Sequence, residues 1–341
     1  MKLVGRSIGT IVVVFFYWLV YYFTLPTLSL AYFDGFMYIG IGVIIAIVLI
    51  VWWVYAFTYE ENVFIVPGTV AGIFILVTVV CAIAGMDLFH SKELYNQIGT
   101  IDQKAFKDDV VEIDTSQIPI VDIDLADKLA DKKLGDEVAL GSKVEVGKFT
   151  NKQQVNEKLV YVAPLNHRSF FKWKANKSGT PGYVVVSATN MNDVKLVKEI
   201  NKKELKIKYS ESAFFSDNLK RNIRNKGFRN VGLTEYSFEL DDDGNPYWVV
   251  TTYKNTTLWG NKEAPGVIIC DPETGDCKWY SINDVPEWVD IVQPESFIKD
   301  QIKNYGEYVH GAFNFSDEDK LSVTEHMTTV YNNGECYYYT G

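Results

Sequence analysis

The sequence predicts a membrane-anchored α+β protein, with three N-terminal transmembrane helices and then tandem units of one helix plus an antiparallel sheet, the third incomplete. Three observations carry that prediction. Residues 8–25, 36–57 and 63–86 are apolar runs, each about long enough to cross a hydrocarbon core of roughly 30 Å at about 1.5 Å per residue. The rest of the chain is polar overall. Within that polar part a helix-then-strands order recurs, shifted by 84 positions from Pro181 to Pro265. The expected organisation is a three-helix region at 1–88, a connector at 89–121, a first unit at 122–204, a second at 205–290 and an incomplete third at 291–341.

Taking the spans first, the connections around Asp34 and around Glu60 and Glu61 are short, so the three helices must alternate in direction. Tyr17, Trp18, Tyr21 and Tyr22 close the first span, Tyr32 and Tyr38 flank the start of the second, and Trp52, Trp53, Tyr55 and Tyr59 mark its end. Such rings prefer headgroup depth. Lys2 and Arg6 place the N-terminus in the cytoplasm, and three crossings then put the polar part outside the cell. Ser29-Leu30-Ala31 also fits a signal-peptide cleavage pattern, although the first apolar run is longer than a usual signal core. Gly42 with Ala46, and Gly68 with Gly72, are small-xxx-small pairs where helix backbones can approach closely. No span carries an ionisable residue at mid-depth, which argues against a proton relay or an ion path.

Charge divides the chain in the same place. Of 33 basic and 43 acidic residues, only Lys2 and Arg6 against Asp34, Glu60 and Glu61 precede residue 87, leaving 31 and 40 and a net charge of -9 beyond it. A surface of that sign repels phosphate backbones, so nucleic acid is excluded as a partner.

In the polar part, a connector over 87–120 ends in Ser116-Gln117-Ile118-Pro119. Asp124 then reads as the cap of a helix to Leu134, with Leu125, Leu129 and Ala130 at helical spacing and Gly135 as its stop. Strand-like runs follow at 143–149, 158–165, 181–188 and 193–198. The order repeats with a helix over 212–226, carrying Phe215, Leu219 and Ile223 and stopped by Gly227. Strands are expected at 233–240, 246–253, 265–270 and 277–282, with Asp243-Gly244 as a hairpin turn. Pro181-Gly182-Tyr183-Val184-Val185-Val186 matches Pro265-Gly266-Val267-Ile268-Ile269-Cys270, the mark of tandem copies. A third helix over 294–305 precedes Tyr331-Asn332-Asn333-Gly334-Glu335-Cys336-Tyr337-Tyr338, which echoes the 240–248 hairpin. The run 330–339 is therefore expected to pair with another unit or another chain, or the protein to continue past Gly341.

On the helix at 212–226, the hairpin at 238–250 and the run Cys270-Asp271-Pro272-Glu273-Thr274-Gly275-Asp276, the second unit resembles PepSY domains, with a fainter echo at 122–198. The likeness covers roughly residues 205–285, and the stretch between Tyr253 and Gly266 is longer than the short module needs. PepSY modules are small extracytoplasmic units, so the resemblance implies an envelope location and protein-binding or peptidase-regulating work. It carries over no catalytic residue.

Candidate sites are few. Cys270 and Cys277 flank a six-residue turn and form either a cross-hairpin disulfide or two free strand thiols. Cys81 lies in the third span, and Cys336 either pairs between chains or stays a thiol. His90, His167, His310 and His326 are scattered, with no metal-ligand spacing. Glu239, Asp241 and Asp243 alternate like a calcium loop, but Val250 stands where the bidentate glutamate belongs. Phe170, Phe171 and Trp173, then Trp259, Trp279, Tyr280 and Trp288, read as core rings or as a contact surface. Tyr337, Tyr338 and Tyr339 are consecutive, so at least one ring faces outward from a strand, marking a partner-binding edge. Together these predict a non-enzymatic envelope protein with no cofactor, held in membrane lipid and binding a protein partner or itself. The alternative is a subunit of a membrane channel, exporter or assembly machine.

Overall fold

The computed structural model describes residues 2–58, 61–103, 118–150, 152–324, 327–332 and 335–341. Tyr59, Glu60, Ser116, Gln117, His326, Asn333 and Gly334, all invoked above, lie outside the described residues.

Three helices long and apolar enough to cross a membrane open the chain: α1 (Lys2–Thr24), α2 (Phe33–Thr58) and α3 (Ile65–Ala84). Helix α1 starts six residues earlier than the apolar run suggests. The hydroxyls of Ser7 and Thr10 donate to the Leu3 and Arg6 carbonyls within the helix, which absorbs the polar residues of its first turns. Arg6 donates to the Trp52 carbonyl and lies over the Trp52 and Tyr55 rings, fixing the start of α1 beside the end of α2.

Inter-helix packing departs from the small-residue pairs. Gly42 receives the Tyr17 phenol of α1, and Gly40 receives the Phe74 ring of α3, so glycine accommodates a ring rather than a second backbone. Ala46 is exposed, and Gly68 and Gly72 have nothing within 4 Å. Gly42 thus packs against α1 through a ring, whereas Gly68 and Gly72 meet nothing among the described residues.

The connector, for which no helix is expected from the sequence, begins with one, α4 (Asp87–Tyr95). Next comes α5 (Ile123–Gly135), capped by Asp122 instead of Asp124. The Asp122 carboxylate accepts from the Leu125 N–H at 2.8 Å, the three-residue offset an N-cap requires.

Two antiparallel sheets follow. The first comprises β1 (Val144–Val146), β2 (Lys152–Val155), β3 (Lys158–His167), β4 (Tyr183–Ser187) and β5 (Val194–Val197), ordered β1-β3-β4-β5 with β2 also on β3. The second is a meander of β8 (Gly232–Leu240), β9 (Pro246–Thr257), β10 (Gly260–Cys270) and β11 (Cys277–Ser281), after a small hairpin of β6 (Glu199–Ile200) and β7 (Lys203–Glu204). The helix expected at 212–226 is shorter. Asn218 caps the Arg221 N–H, and α7 (Leu219–Asn225) starts there after a 3-10 turn at Phe215–Asp217. Also not anticipated from the sequence is α6 (Phe170–Ala175), capped by Ser169.

The stretch between Tyr253 and Gly266 is no loop. Strands β9 and β10 run on as a two-stranded arm with Leu258 and Trp259 at its tip. Lys254 pairs with Glu263 across the arm at 3.1 Å.

The two sheets share their interior. Leu159, Tyr161, Ala163 and Leu165 of β3 face α5 in one core, with Ala126, Ala130 and Leu134. The alternate residues Val160 and Val162 face Phe238, Trp248, Val250 and Ile268 of the second sheet in another, which α7 closes with Leu219 and Ile223. Strand β3 is thus buried on both faces, as its near-continuous apolar run demands. On the far face of the second sheet, Val249, Val267 and Ile269 pack against Val289 and Trp288. Buried Gln153 bridges the sheets, donating to the Phe238 carbonyl and accepting from the Leu240 N–H.

Gly182, just before β4, and Gly266, within β10, each lie against the next strand of their sheet. A Cβ at Gly182 would collide with the Val197 carbonyl on β5, and one at Gly266 with the Tyr280 carbonyl on β11.

Helix α8 (Glu295–Glu307) returns along α4, with Tyr305 stacked on Tyr95 at 4.9 Å. The chain then forms β12 (Thr328–Asn332) and β13 (Glu335–Tyr339), which pair only with each other among the described residues. Among the described residues, 330–339 therefore shows no strand pairing with another unit of the chain, one of the outcomes expected for it.

Candidate functional site

Two surfaces concentrate chemistry: the junction where the polar domain meets the spans, and a cleft beneath the C-terminal hairpin. The junction centres on residues 25–32, linking α1 to α2. Leu25, Thr27 and Tyr32 are buried there, although sequence gives only a short loop between two spans. Asp34, in the first turn of α2, accepts from the Thr27 N–H at 2.8 Å and closes the loop on itself.

The domain then satisfies the loop's remaining polar groups. Leu28 N–H donates to the Arg229 carbonyl at 2.7 Å, and the Tyr32 hydroxyl to the Tyr253 carbonyl at 2.6 Å. Buried Arg224 anchors both sides, with Nη1 donating to the Phe228 and Val231 carbonyls and Nη2 to Thr27 Oγ1. From the arm, Asn255 donates to the Ala31 carbonyl and Trp259 Nε1 to the Leu30 carbonyl. The Trp259 ring sits 4.7 Å from that of Phe36 and 5.2 Å from that of Phe33. Asn261, just past the arm's tip, reaches Asp87 at the exit from α3.

Helix α1 has no basic residue in its last turn. Its terminal carbonyls are met instead from α7: Lys220 Nζ donates to Thr24 O at 3.3 Å and Arg221 Nη2 to Tyr22 O at 2.7 Å. The Arg221 guanidinium also lies 3.7 Å from the Tyr22 ring centre. Cations at a helix C-terminus oppose the negative end of its dipole, each contributing about 0.3–1 kcal/mol. The first interhelical connection and the exit from α3 therefore both rest against the polar domain.

The second surface is a cleft of about 490 Å³ whose walls include Lys152, Glu235, Tyr236, Glu239, Glu295 and Tyr338. Burial raises the Glu235 carboxyl above its ordinary range, and Glu295 adds to the shift. Desolvation lowers the Lys152 ammonium. Tyr338 donates to the Gln293 carbonyl at 3.1 Å, tying the hairpin down, while Tyr337 and Tyr339 on the opposite face are exposed. Nearby, Asp290 accepts from the Gln154 N–H at 2.6 Å and burial pushes its carboxyl up to about 6.

The remaining sequence candidates do not converge. Cys270 and Cys277 are joined by a disulfide across the β10–β11 hairpin, while Cys81 and Cys336 are thiols. Asp241, of the calcium-like run, accepts from Asp243 N–H and Asn245 N–H, so it builds the turn itself. Trp173 is buried and donates to Asp217, Trp248 donates to the Tyr209 carbonyl, and Trp288 stacks on Tyr247. These rings pack the interior, whereas Phe171 and Trp279 remain exposed. His90 and His310 bond Glu93 and Asp319 on separate elements. Among the described residues, no group of three His, Cys, Asp or Glu side chains is placed to hold a metal ion.

No family model matches the sequence, and no curated protein or solved structure matches it.

Proposed function

We propose that this chain is a non-enzymatic envelope protein whose three spans anchor an extracytoplasmic, protein-binding α+β domain, with PepSY-like units as its framework. The observation that carries the reading is the hairpin β12–β13. It pairs with neither sheet among the described residues, so it offers strand edges beside the exposed Tyr339 ring. Open strand edges are templates for an incoming extended peptide, and aromatic side chains beside them supply specificity. The partner is another envelope protein or a second copy of this chain.

Two features support an external domain. A Cys270–Cys277 disulfide persists where the compartment is oxidising. Lys2 and Arg6 lie at the opposite end of α1 from the domain, consistent with a cytoplasmic N-terminus. The basic residues of α7 do not argue against this orientation, because long domains translocate largely regardless of charge.

Photo-cross-linking from position 339 in intact membranes tests the proposal. Capture of one defined protein, reduced when proline at Val330 disrupts the hairpin, is the expected result. A crosslinker at 339 that reaches only lipid or water would remove it. A second reading, a subunit of a membrane channel, exporter or assembly machine, is favoured by Gly68 and Gly72, which leave a smooth, unoccupied face on α3 for another span. Co-purification of a second membrane helix with the full chain, lost in Gly72→Leu, is its expected signature.

A further inference from the structure

A cleft of about 400 Å³ opens where α1 ends, lined by Phe23, Thr24 and Leu25 from the span and by Lys220, Arg221 and Tyr236, among others, from the domain. Its depth follows from the span. The 23 residues of α1, at about 1.5 Å each, slightly exceed a hydrocarbon core of roughly 30 Å. Tyr22, Phe23 and Thr24 therefore lie at the headgroup layer on the domain's side.

The charge there is opposite to that of the domain as a whole. Lys220, Arg221, Arg224 and Arg229 fall within ten residues of a region whose net charge is -9. None has a carboxylate within ion-pair distance among the described residues, and Lys220 and Arg221 bond only to neutral carbonyls. Glu211 is the sole acidic residue in the wall, and burial raises its carboxyl above the ordinary range. Two donors remain open: Arg221 Nε and the Tyr236 hydroxyl are buried with no hydrogen-bond partner. Unpartnered buried donors are costly. A phosphate accepts several such bonds at once.

We propose that this cleft binds the phosphate-bearing headgroup of an anionic phospholipid from the leaflet on the domain's side, with its acyl chains along exposed Phe23. The contacts are Lys220 and Arg221 for charge and Tyr236 for orientation. The domain's membrane-facing basic cluster then offsets the repulsion its acidic surface would otherwise meet at an anionic bilayer.

The test uses the full chain reconstituted in nanodiscs of phosphatidylcholine alone or with phosphatidylglycerol, with retained lipid counted by native mass spectrometry. Phosphatidylglycerol should be retained over phosphatidylcholine, and K220Q/R221Q should lower that preference roughly tenfold or more. Y236F, which leaves both helix-capping cations in place, should lower it by a smaller factor without changing the melting temperature, and K220R should keep it. Equal retention of the two lipids, or undiminished preference in a folded K220Q/R221Q, overturns the site. If the double variant does not fold, undiminished preference in Y236F overturns it instead. Inorganic phosphate that stabilises the chain in phosphatidylcholine discs as fully as phosphatidylglycerol does would assign the cleft to free phosphate and overturn the lipid reading.

Discussion

The two sheets are built from similar parts and used differently. Each follows a capped helix, runs antiparallel, and carries a glycine whose missing Cβ lets the third strand approach the fourth. The first sheet is enclosed, with α5 on one face and the second sheet on the other, and β3 has no outward side. The second sheet sends its central hairpin beyond its own core to the loop between α1 and α2. One sheet therefore holds the domain together, and the other holds it to the apolar helices. What separates these roles is the length of β9 and β10, since β2–β5 and β8–β11 pair in the same order and the first sheet adds only β1 beside β3.

The largest expected effect breaks the shared interior. Phe238 is 1 % exposed and packs between the sheets. Phe238→Ala should destabilise the domain by about 3–5 kcal/mol and unfold both sheets in one transition. Two separated transitions in calorimetry would show instead that the sheets are independent. Next comes the disulfide, which staples only the second sheet. Its loop spans seven positions, so the C270S/C277S pair should cost about 2–3 kcal/mol by the loop-entropy account. Hydrogen exchange should quicken in β10 and β11 more than in β3 and β4, and uniform quickening would contradict the division.

The smallest effect concerns the tether from the second sheet's flank to the first. Asp290 meets Gln154 of β2, and burial pushes its folded pKa up to about 6, above the ordinary aspartate value of about 3.9. The folded state therefore binds its proton more tightly than the unfolded chain does. The resulting stabilisation is complete below pH 4 and is lost as pH rises to about 6. Asp290→Asn should raise stability at pH 7 by about 1–2 kcal/mol and flatten the dependence between pH 4 and 6. A parallel shift of the whole curve would show that another group titrates there.

Legibility in the sequence tracked the range of the signal. The spans were readable because uninterrupted apolar runs leave few alternatives, and most strands because β-branched alternation is local. The first cap slipped by two residues to Asp122, and the helix expected from 212 starts seven residues later at Leu219, since several capping residues stand close together and only backbone geometry selects one. The arm was hidden because Lys254, Asn255, Thr256 and Thr257 carry no apolar face, although the threonines and the Lys254–Glu263 pairing are its trace. Least legible was the junction. Arg224 and Thr27 lie 197 positions apart, and Trp259 and Leu30 lie 229 apart, so no window of sequence contains both partners.

That separation sets an order of assembly. When the first two spans enter the bilayer, the partners of Thr27, Leu28 and Tyr32 have yet to be synthesised, and water must serve those groups until the chain has grown past Asn261. The link between bilayer and domain is thus the final thing to close. A nascent chain arrested before the arm would be inserted but slack, and its loop open to proteases until elongation resumes.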